Sequence, residues 1–208
     1  MLTDKTIKAF LNDLASPAKI PDGCNSSMLC GGFSAALTMK VFSQTMIKRK
    51  EEKTDDLKTT LEEIRLIMEH FILLNEKYLS ASDELLSVYK KFRNREESKK
   101  NQMEAVHNGA VKAVSTISQM IKSCEQLLYY IKKNAIEADV NLLSDIGAAA
   151  LINSAAAQSA AFSANNIING IMDRKWAIDT FNNLNQMLGN IRRETEEILK
   201  TASQRMSE

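Results

Sequence analysis

The chain is expected to fold as an all-α bundle of six to eight helices. Apolar residues recur at helical spacing along most of its length, and the alternation expected of strands is absent. The two prolines both lie near the start, at Pro17 and Pro21. Two long stretches carry no charge at all: residues 23–39 (GCNSSMLCGGFSAALTM) and the stretch between Asp145 and Asp173. The second is made mostly of Ala, Ser, Asn and Gly, with Ile146, Leu151, Ile152, Phe162, Ile167 and Ile168 as its larger apolar groups. Its amides argue against a membrane span, because Asn153, Gln158, Asn165, Asn166 and Asn169 would each need a partner in lipid. Helices uncharged on every side are usually buried, so these two are expected at the centre, over residues 25–47 and 144–172, with amphipathic helices around them. Buried amides need hydrogen bonds. The Asn cluster therefore either ties helices together or faces a polar cleft.

The elements follow in order. Ile7, Phe10, Leu11 and Leu14 form the stripe of a first helix, with Thr3 as its cap. It ends before Pro17, since proline disfavours helical geometry in the preceding residue. The segment SPAKIPDG is a loop, and Asn25 or Ser26 caps the first small-residue helix. Thr54 caps a long helix whose stripe runs Leu57, Leu61, Ile64, Met68, Phe71, Leu74 or Asn75, and Tyr78, reaching towards Phe92. RNREESKKN is a charged turn, followed by a helix carrying Met103, Val106, Ala110, Val114 and Ile117 that continues or bends into Ile121, Leu128 and Ile131. Ser144 caps the second small-residue helix, and Asp145 suits the positive end of its dipole. A last helix begins near Asp173 and buries Trp176, Phe181, Leu184, Leu188, Ile191 and Ile198. No repeat or linker divides the chain, so residues 1–208 are expected to form a single domain.

Composition excludes several functions. Net charge is +1 with mixed signs, unlike the basic footprint of a nucleic-acid binder. Three irregularly spaced cysteines and two histidines make neither a disulfide framework nor a zinc pattern, so no metal is expected. The N-terminus lacks the basic start and apolar run of a signal peptide, and a cytoplasmic location is expected. No glycine-rich loop follows a strand, so nucleotide-binding motifs are missing. Cys24 sits at a helix start, where a thiol pKa can fall. The loop IPDGCNSS feeds the same helix start, where free N–H groups can meet an anion, with Asp22 opposing it.

Three segments, TIKAFLNDLASPAKIPDGCNSSMLCGGFSAAL, YLSASDELLSVYKKF and NLLSDIGAAALINSAAAQSAAF, together resemble the cyclodeaminase part of formiminotransferase-cyclodeaminase and the related methenyltetrahydrofolate cyclohydrolases. The resemblance covers nearly the whole chain in order and spacing. It implies an all-α homodimer acting on a tetrahydrofolate one-carbon adduct, with no tightly bound cofactor; the mixed charges and the amides of the second charge-free stretch add the expectation of no nucleic acid and no membrane partner. It places ligand-binding roles on Pro21, Gly23, Asn25 and Ser26 in the loop, and on Asn141, Ser144 and Asp145 at the later helix start, with Asp145 also a catalytic candidate. Ser163, Asn165, Asn166, Asn169 and Asp173 follow at that helix's end.

Several positions depart from the family pattern. Asp22 and Cys24 stand where the loop has glycines. Ser80 and Ser82 occupy the two carboxylate positions of a D-x-D segment, with Asp83 just beyond as a substitute. Ser163, Ala164 and Ile167 stand where an Asn-Val pair and a further Asn belong. Serines lack the pKa for proton transfer, so the resemblance implies weak or lost activity, or a relative kept as a ligand- or protein-binding dimer. A ligand site is expected where the IPDGCNSS loop, the start of the Ser144 helix and the Asn165–Asn169 amides converge.

Overall fold

A computed structural model describes residues 4–49, 55–93 and 99–208. Six α-helices follow in order: α1 (Ile7–Leu14), α2 (Gly23–Arg49), α3 (Asp55–Arg93), α4 (Lys99–Glu137), α5 (Leu143–Asn169) and α6 (Arg174–Met206). A 3-10 turn, Val140–Leu142, leads into α5. The described residues contain no strand. The expected caps Thr3 and Thr54, and most of the charged turn before α4, lie outside the described residues.

The helices form where the apolar spacing requires, but their ends differ from expectation. Thr6 caps α1, accepting from the Ala9 N–H at 3.1 Å. Only Phe10 of the α1 stripe is buried; Ile7 and Leu11 are exposed, so α1 is held by one anchor. Asp22, not Asn25 or Ser26, caps α2: Asp22 Oδ1 accepts from the N–H groups of Cys24 (2.9 Å) and Asn25 (3.1 Å). Asn25 Oδ1 in turn accepts from the Asp22 N–H at 3.1 Å, a reciprocal capping box. Ser144 lies inside the first turn of α5 and caps nothing. Asp139 instead caps the preceding 3-10 turn, which extends the helical path and so displaces the start. Asp173 caps α6 as expected, accepting from the Trp176 N–H at 3.0 Å.

α5 packs against α2, α4 and α6, while α3 packs against α2 and α4. The core fills with Met28, Ile64, Phe71, Leu74, Ile117, Ile121, Leu127, Leu143, Ile146 and Leu184. α2 and α5 run antiparallel. Ser34 Oγ donates to the Ala149 carbonyl at 2.8 Å, and Lys40 Nζ reaches Asp145 Oδ2 at 2.7 Å. Small residues permit this close approach. Buried Asn153 ties α5 to α4 by donating to the Cys124 carbonyl at 2.9 Å, as expected for part of the amide cluster.

The central pair is not buried all round. On α5, Leu151 is 54% and Phe162 77% exposed; on α2, Phe33 is 53% exposed. α5 with its leading turn is long and apolar enough to cross a membrane, and half of its most apolar window is buried in the bundle. Leu151 and Phe162 lie on the side of α5 left open. Phe181, expected in the core, is also exposed, and Trp176 is half-buried against His107, their rings edge to face at 5.4 Å.

Candidate functional site

Three elements meet at one end of the bundle: the start of α2, the middle of α3 and the last turns of α5. Asn75, Tyr78, Ser82, Leu85 and Tyr89 recur three or four residues apart and so share one face of α3. Tyr78 donates from its hydroxyl to Asp22 Oδ2 at 3.0 Å. Asp22 is thus held twice, its Oδ1 by the α2 N–H groups and its Oδ2 by tyrosine. Behind the pair, Asn25 Nδ2 donates to Asn75 Oδ1 at 2.7 Å. Both amides are fully buried, and Asn75 Nδ2 has no partner. This layer fixes the position of the α2 start against α3.

In front of the pair lies a cleft of about 300 Å³, lined by Asp22, Tyr78, Ser82, Asn166, Lys19 and Tyr89 among others. Tyr89 also lines an adjoining, mostly apolar cleft of about 390 Å³, with Met103, His107, Ile171, Met172 and Asp173. Among the described residues no cluster of His, Cys, Asp or Glu could hold a metal.

The two titratable groups beside Asp22 are both held in their protonated form. Burial, then the neighbouring Cys24 thiol and the Asp22 carboxylate, push the Tyr78 hydroxyl well above its usual range, against an opposing hydrogen bond with Ser82. Tyr78 therefore stays a donor. Burial first, and the Asp22 charge second, also push the Cys24 thiol far up, outweighing hydrogen bonds with Tyr78 and Ser163. The helix start does not activate this cysteine, because its side chain is fully buried beside a carboxylate. In native protein, alkylation by iodoacetamide is expected at half-buried Cys30 and not at Cys24 or Cys124. Mass spectrometry of the labelled peptides checks this; modified Cys24 would mean the cleft opens further than described.

The residues expected at the site divide into two groups. Ser82 and Asn166 line the cleft, Ser163 lies beside Cys24, Asn25 sits in the buried amide layer, and Pro21 is buried between the lining residues Ile20 and Asp22 in the chain. Gly23 opens α2, and Ser26 Oγ donates to the Asp22 carbonyl at 3.2 Å. Asn165 Oδ1 is buried without a partner, Asn169 is exposed, and Asp173 serves as a cap at the edge of the apolar cleft. Ser80 and Asp83 are exposed on other faces of α3, two and five residues beyond Tyr78. Neither lines the cleft.

Asn141, Ser144 and Asp145 sit at the far end of α5. Asn141 bonds to Asp139 (Nδ2 to Oδ1, 2.8 Å), Ser144 is exposed and Asp145 pairs with Lys40. At 1.5 Å per residue, Asp145 and Asn166 lie about 30 Å apart along the helix. The expected convergence of both α5 ends with the loop does not occur within one chain, because α5 runs antiparallel to α2. The Asp145–Lys40 pair is a partly exposed ion pair of the kind that contributes about 0–1 kcal/mol. Asp145→Asn is accordingly expected to leave the melting temperature within a few degrees of wild type; a fall of ten degrees or more by calorimetry would make the residue structural.

Sequence reasoning missed Tyr78, Asn75 and Asp22 as site residues. The first two were legible only as polar interruptions of an apolar stripe. Asp22 looked like a substitution in a glycine loop, with nothing to reveal its partner 56 positions away.

Residues 6–186 match the model of the formiminotransferase-cyclodeaminase family. The chain belongs to that family. It is 25% identical over 208 residues, 100% of both chains, to a methenyltetrahydrofolate cyclohydrolase of Methylorubrum extorquens. Its fold matches the crystal structure of formiminotetrahydrofolate cyclodeaminase from Thermotoga maritima with a TM-score of 0.76 at 20% identity, covering 96% of this chain and 98% of that one. The all-α bundle is therefore this family's fold.

Proposed function

We propose that the protein binds a tetrahydrofolate one-carbon adduct in the Asp22–Tyr78 cleft and opens its methenyl ring with water. The observation that carries this reading is the Tyr78–Asp22 hydrogen bond on the cleft wall. Asp22 provides the carboxylate that the serines at positions 80 and 82 lack, from a different element. In ring opening, water adds to the methenyl carbon and Asp22 takes its proton. The carbon–nitrogen bond then breaks, the electron pair stays on the ring nitrogen, and a proton returns to that nitrogen. Tyr78, kept protonated, orients Asp22 and can donate to the oxygen as charge develops there.

The shape of the site agrees. A cleft of mixed character, with Asp22, Tyr78 and Asn166 beside Ile20, Leu85 and Ile167, joined through Tyr89 to a mostly apolar one, suits a ligand with a hydrogen-bonding ring system and an aryl extension. Lys19 at the rim can meet a carboxylate. The full-length relative, by its name, acts on methenyltetrahydrofolate, and the resemblance of the loop and α5 segments points the same way. We also read the working form as a homodimer, from the apolar stripe left open on α5.

Calorimetric titration with 5-formyltetrahydrofolate, a stable folate, tests the binding half of the proposal. One site per chain is expected, weakened at least tenfold by Asn166→Leu. No heat of binding at any accessible concentration would contradict it. Binding without turnover would favour the alternative, a non-catalytic relative that keeps the fold to hold a ligand or a protein.

A further inference from the structure

We propose that the end of the bundle opposite the Asp22–Tyr78 cleft carries a second site, built on Thr45, Lys48, Asp139 and Arg205, that takes a small α-amino acid as its zwitterion. α2 and α4 run parallel. Asn134 Nδ2 on α4 donates to the Thr38 carbonyl on α2 at 3.1 Å, and further along both, Lys48 Nζ meets Asp139 Oδ1 at 3.0 Å. The C-terminal ends of the two helices therefore lie side by side. Between them and the end of α6 is a cleft of about 290 Å³, lined by Thr45, Lys48, Glu137, Ala138, Asp139 and Arg205. At 1.5 Å per residue along α2, Thr45 lies about 30 Å from Cys24 and so from the first cleft.

Thr45 sets this cleft apart. A helical threonine can donate to the carbonyl one turn back, as Thr38 does to Ser34 (2.8 Å), Thr116 to Lys112 (3.0 Å) and Thr195 to Ile191 (2.7 Å). Thr45 is only 7% exposed, yet its hydroxyl has no partner. Buried polar groups are almost always hydrogen-bonded, and valine would fill the same space with no hydroxyl to satisfy. The Thr45 hydroxyl is left for what enters the cleft it lines.

The charges select the ligand. Lys48 stands in the last turn of α2, and Arg205 donates from Nη1 and Nη2 to the Ala135 and Ala138 carbonyls at 2.8 and 2.7 Å. Each offsets the negative end of a helix dipole, and each has further N–H groups beyond the bonds named. Lys48 and the Asn141 N–H hold the Asp139 carboxyl below the usual carboxylate range, so it is charged at neutral pH. Those bonds fall on Oδ1 and leave Oδ2 for a ligand. A lone anion in this cleft would meet Asp139, Glu137 and the carbonyl ends of two helices. A lone cation would meet Lys48 and Arg205. A molecule with a carboxylate and an ammonium on one carbon answers both, its carboxylate towards Lys48 and Arg205 and its ammonium towards Asp139. Thr45 can donate to the first or accept from the second. The volume is at the small end for ligand pockets, which suits a small amino acid and not a peptide.

Thr45→Val tests the site before any ligand is added. Removing an unpartnered buried hydroxyl is expected to leave the melting temperature unchanged or to raise it. A fall of more than about 4 °C, the shift that about 1 kcal/mol makes in a chain of this length, would give the hydroxyl a structural partner and overturn the proposal. Wild type is then scanned by thermal shift against each of the standard α-amino acids at millimolar concentration. At least one small amino acid is expected to raise the melting temperature, and titration calorimetry is expected to find one site per chain for it. Its affinity should fall at least tenfold in Thr45→Val and in Lys48→Met, and as much when its amine is acetylated or its carboxylate amidated. It should bind Asp22→Asn protein as tightly as wild type, which separates this site from the first cleft. No shift with any amino acid, equal binding of the blocked forms, inorganic phosphate bound as tightly, unchanged affinity in folded Thr45→Val, or lost affinity in Asp22→Asn would each overturn the proposal. None of these outcomes depends on what the first cleft holds.

Discussion

Asp22→Asn is expected to lower methenyl ring opening by about 100- to 10,000-fold, the usual contribution of a general base. The fold should survive. Asparagine caps a helix about as well as aspartate, so its Oδ1 can keep the N–H groups of Cys24 and Asn25, and its amide can still bond the Tyr78 oxygen, a hydroxyl able to accept as well as donate. A loss of at most about 1 kcal/mol corresponds to roughly 2–4 °C in a protein of this size. Tyr78→Phe should also slow the reaction while leaving Asp22 in place. The assay is the loss of methenyl absorbance, with melting curves on the same samples. A variant that loses its fold and its activity together would show only that Asp22 caps α2. Unchanged turnover in folded Asp22→Asn would remove it from the mechanism.

Gly31→Ala carries the largest expected effect on stability. A Cβ at position 31 would stand 2.5–2.9 Å from three atoms of the Phe71 ring. Phe71 is almost completely buried and sits in the core where α2 crosses α3, so it cannot swing aside into solvent. Overpacking of this kind costs about 1–3 kcal/mol or more, and the melting temperature should fall by roughly 2–12 °C. The same contact holds the Asn25–Asn75 layer further along these helices. Gly31→Ala combined with Phe71→Leu should recover part of the loss by freeing the space. A Gly31→Ala protein as stable as wild type in thermal and urea unfolding would mean that α2 and α3 are further apart than described.

The course of the helices was legible in the sequence because the apolar spacing of α3, α4 and α6 is regular over many turns. Charge-free composition correctly singled out α2 and α5 as the central pair. It could not show that one side of α5 stays open, because Leu151 and Phe162 read the same whether they meet a neighbouring helix or water. Caps were less legible. Asp22, Asn25 and Ser26 are all good N-cap residues, and only the Tyr78 hydroxyl and the returning Asn25 amide select Asp22.

The site was half legible. Ser163, Asn166 and the loop were placed together correctly, since resemblance to the family marks them and local order keeps them near helix ends. Asp145 was placed with them wrongly for a single chain. Its local signal, an acid in the first turn of a helix, says nothing about which way that helix runs beside its neighbours. Ser82 lines the cleft, whereas Ser80 and Asp83 fall on other faces of α3, whose rotation Asn75 and Tyr78 set by turning their polar groups towards α2.

The most direct measurement is wild-type turnover of 5,10-methenyltetrahydrofolate, followed by absorbance under conditions where the uncatalysed ring opening is recorded in parallel. Turnover on the order of 10 per second, typical of enzymes, abolished by Asp22→Asn in a folded protein, is the predicted result. A rate no faster than the uncatalysed reaction, from folded protein that binds 5-formyltetrahydrofolate, would contradict the catalytic role given to Asp22 and Tyr78.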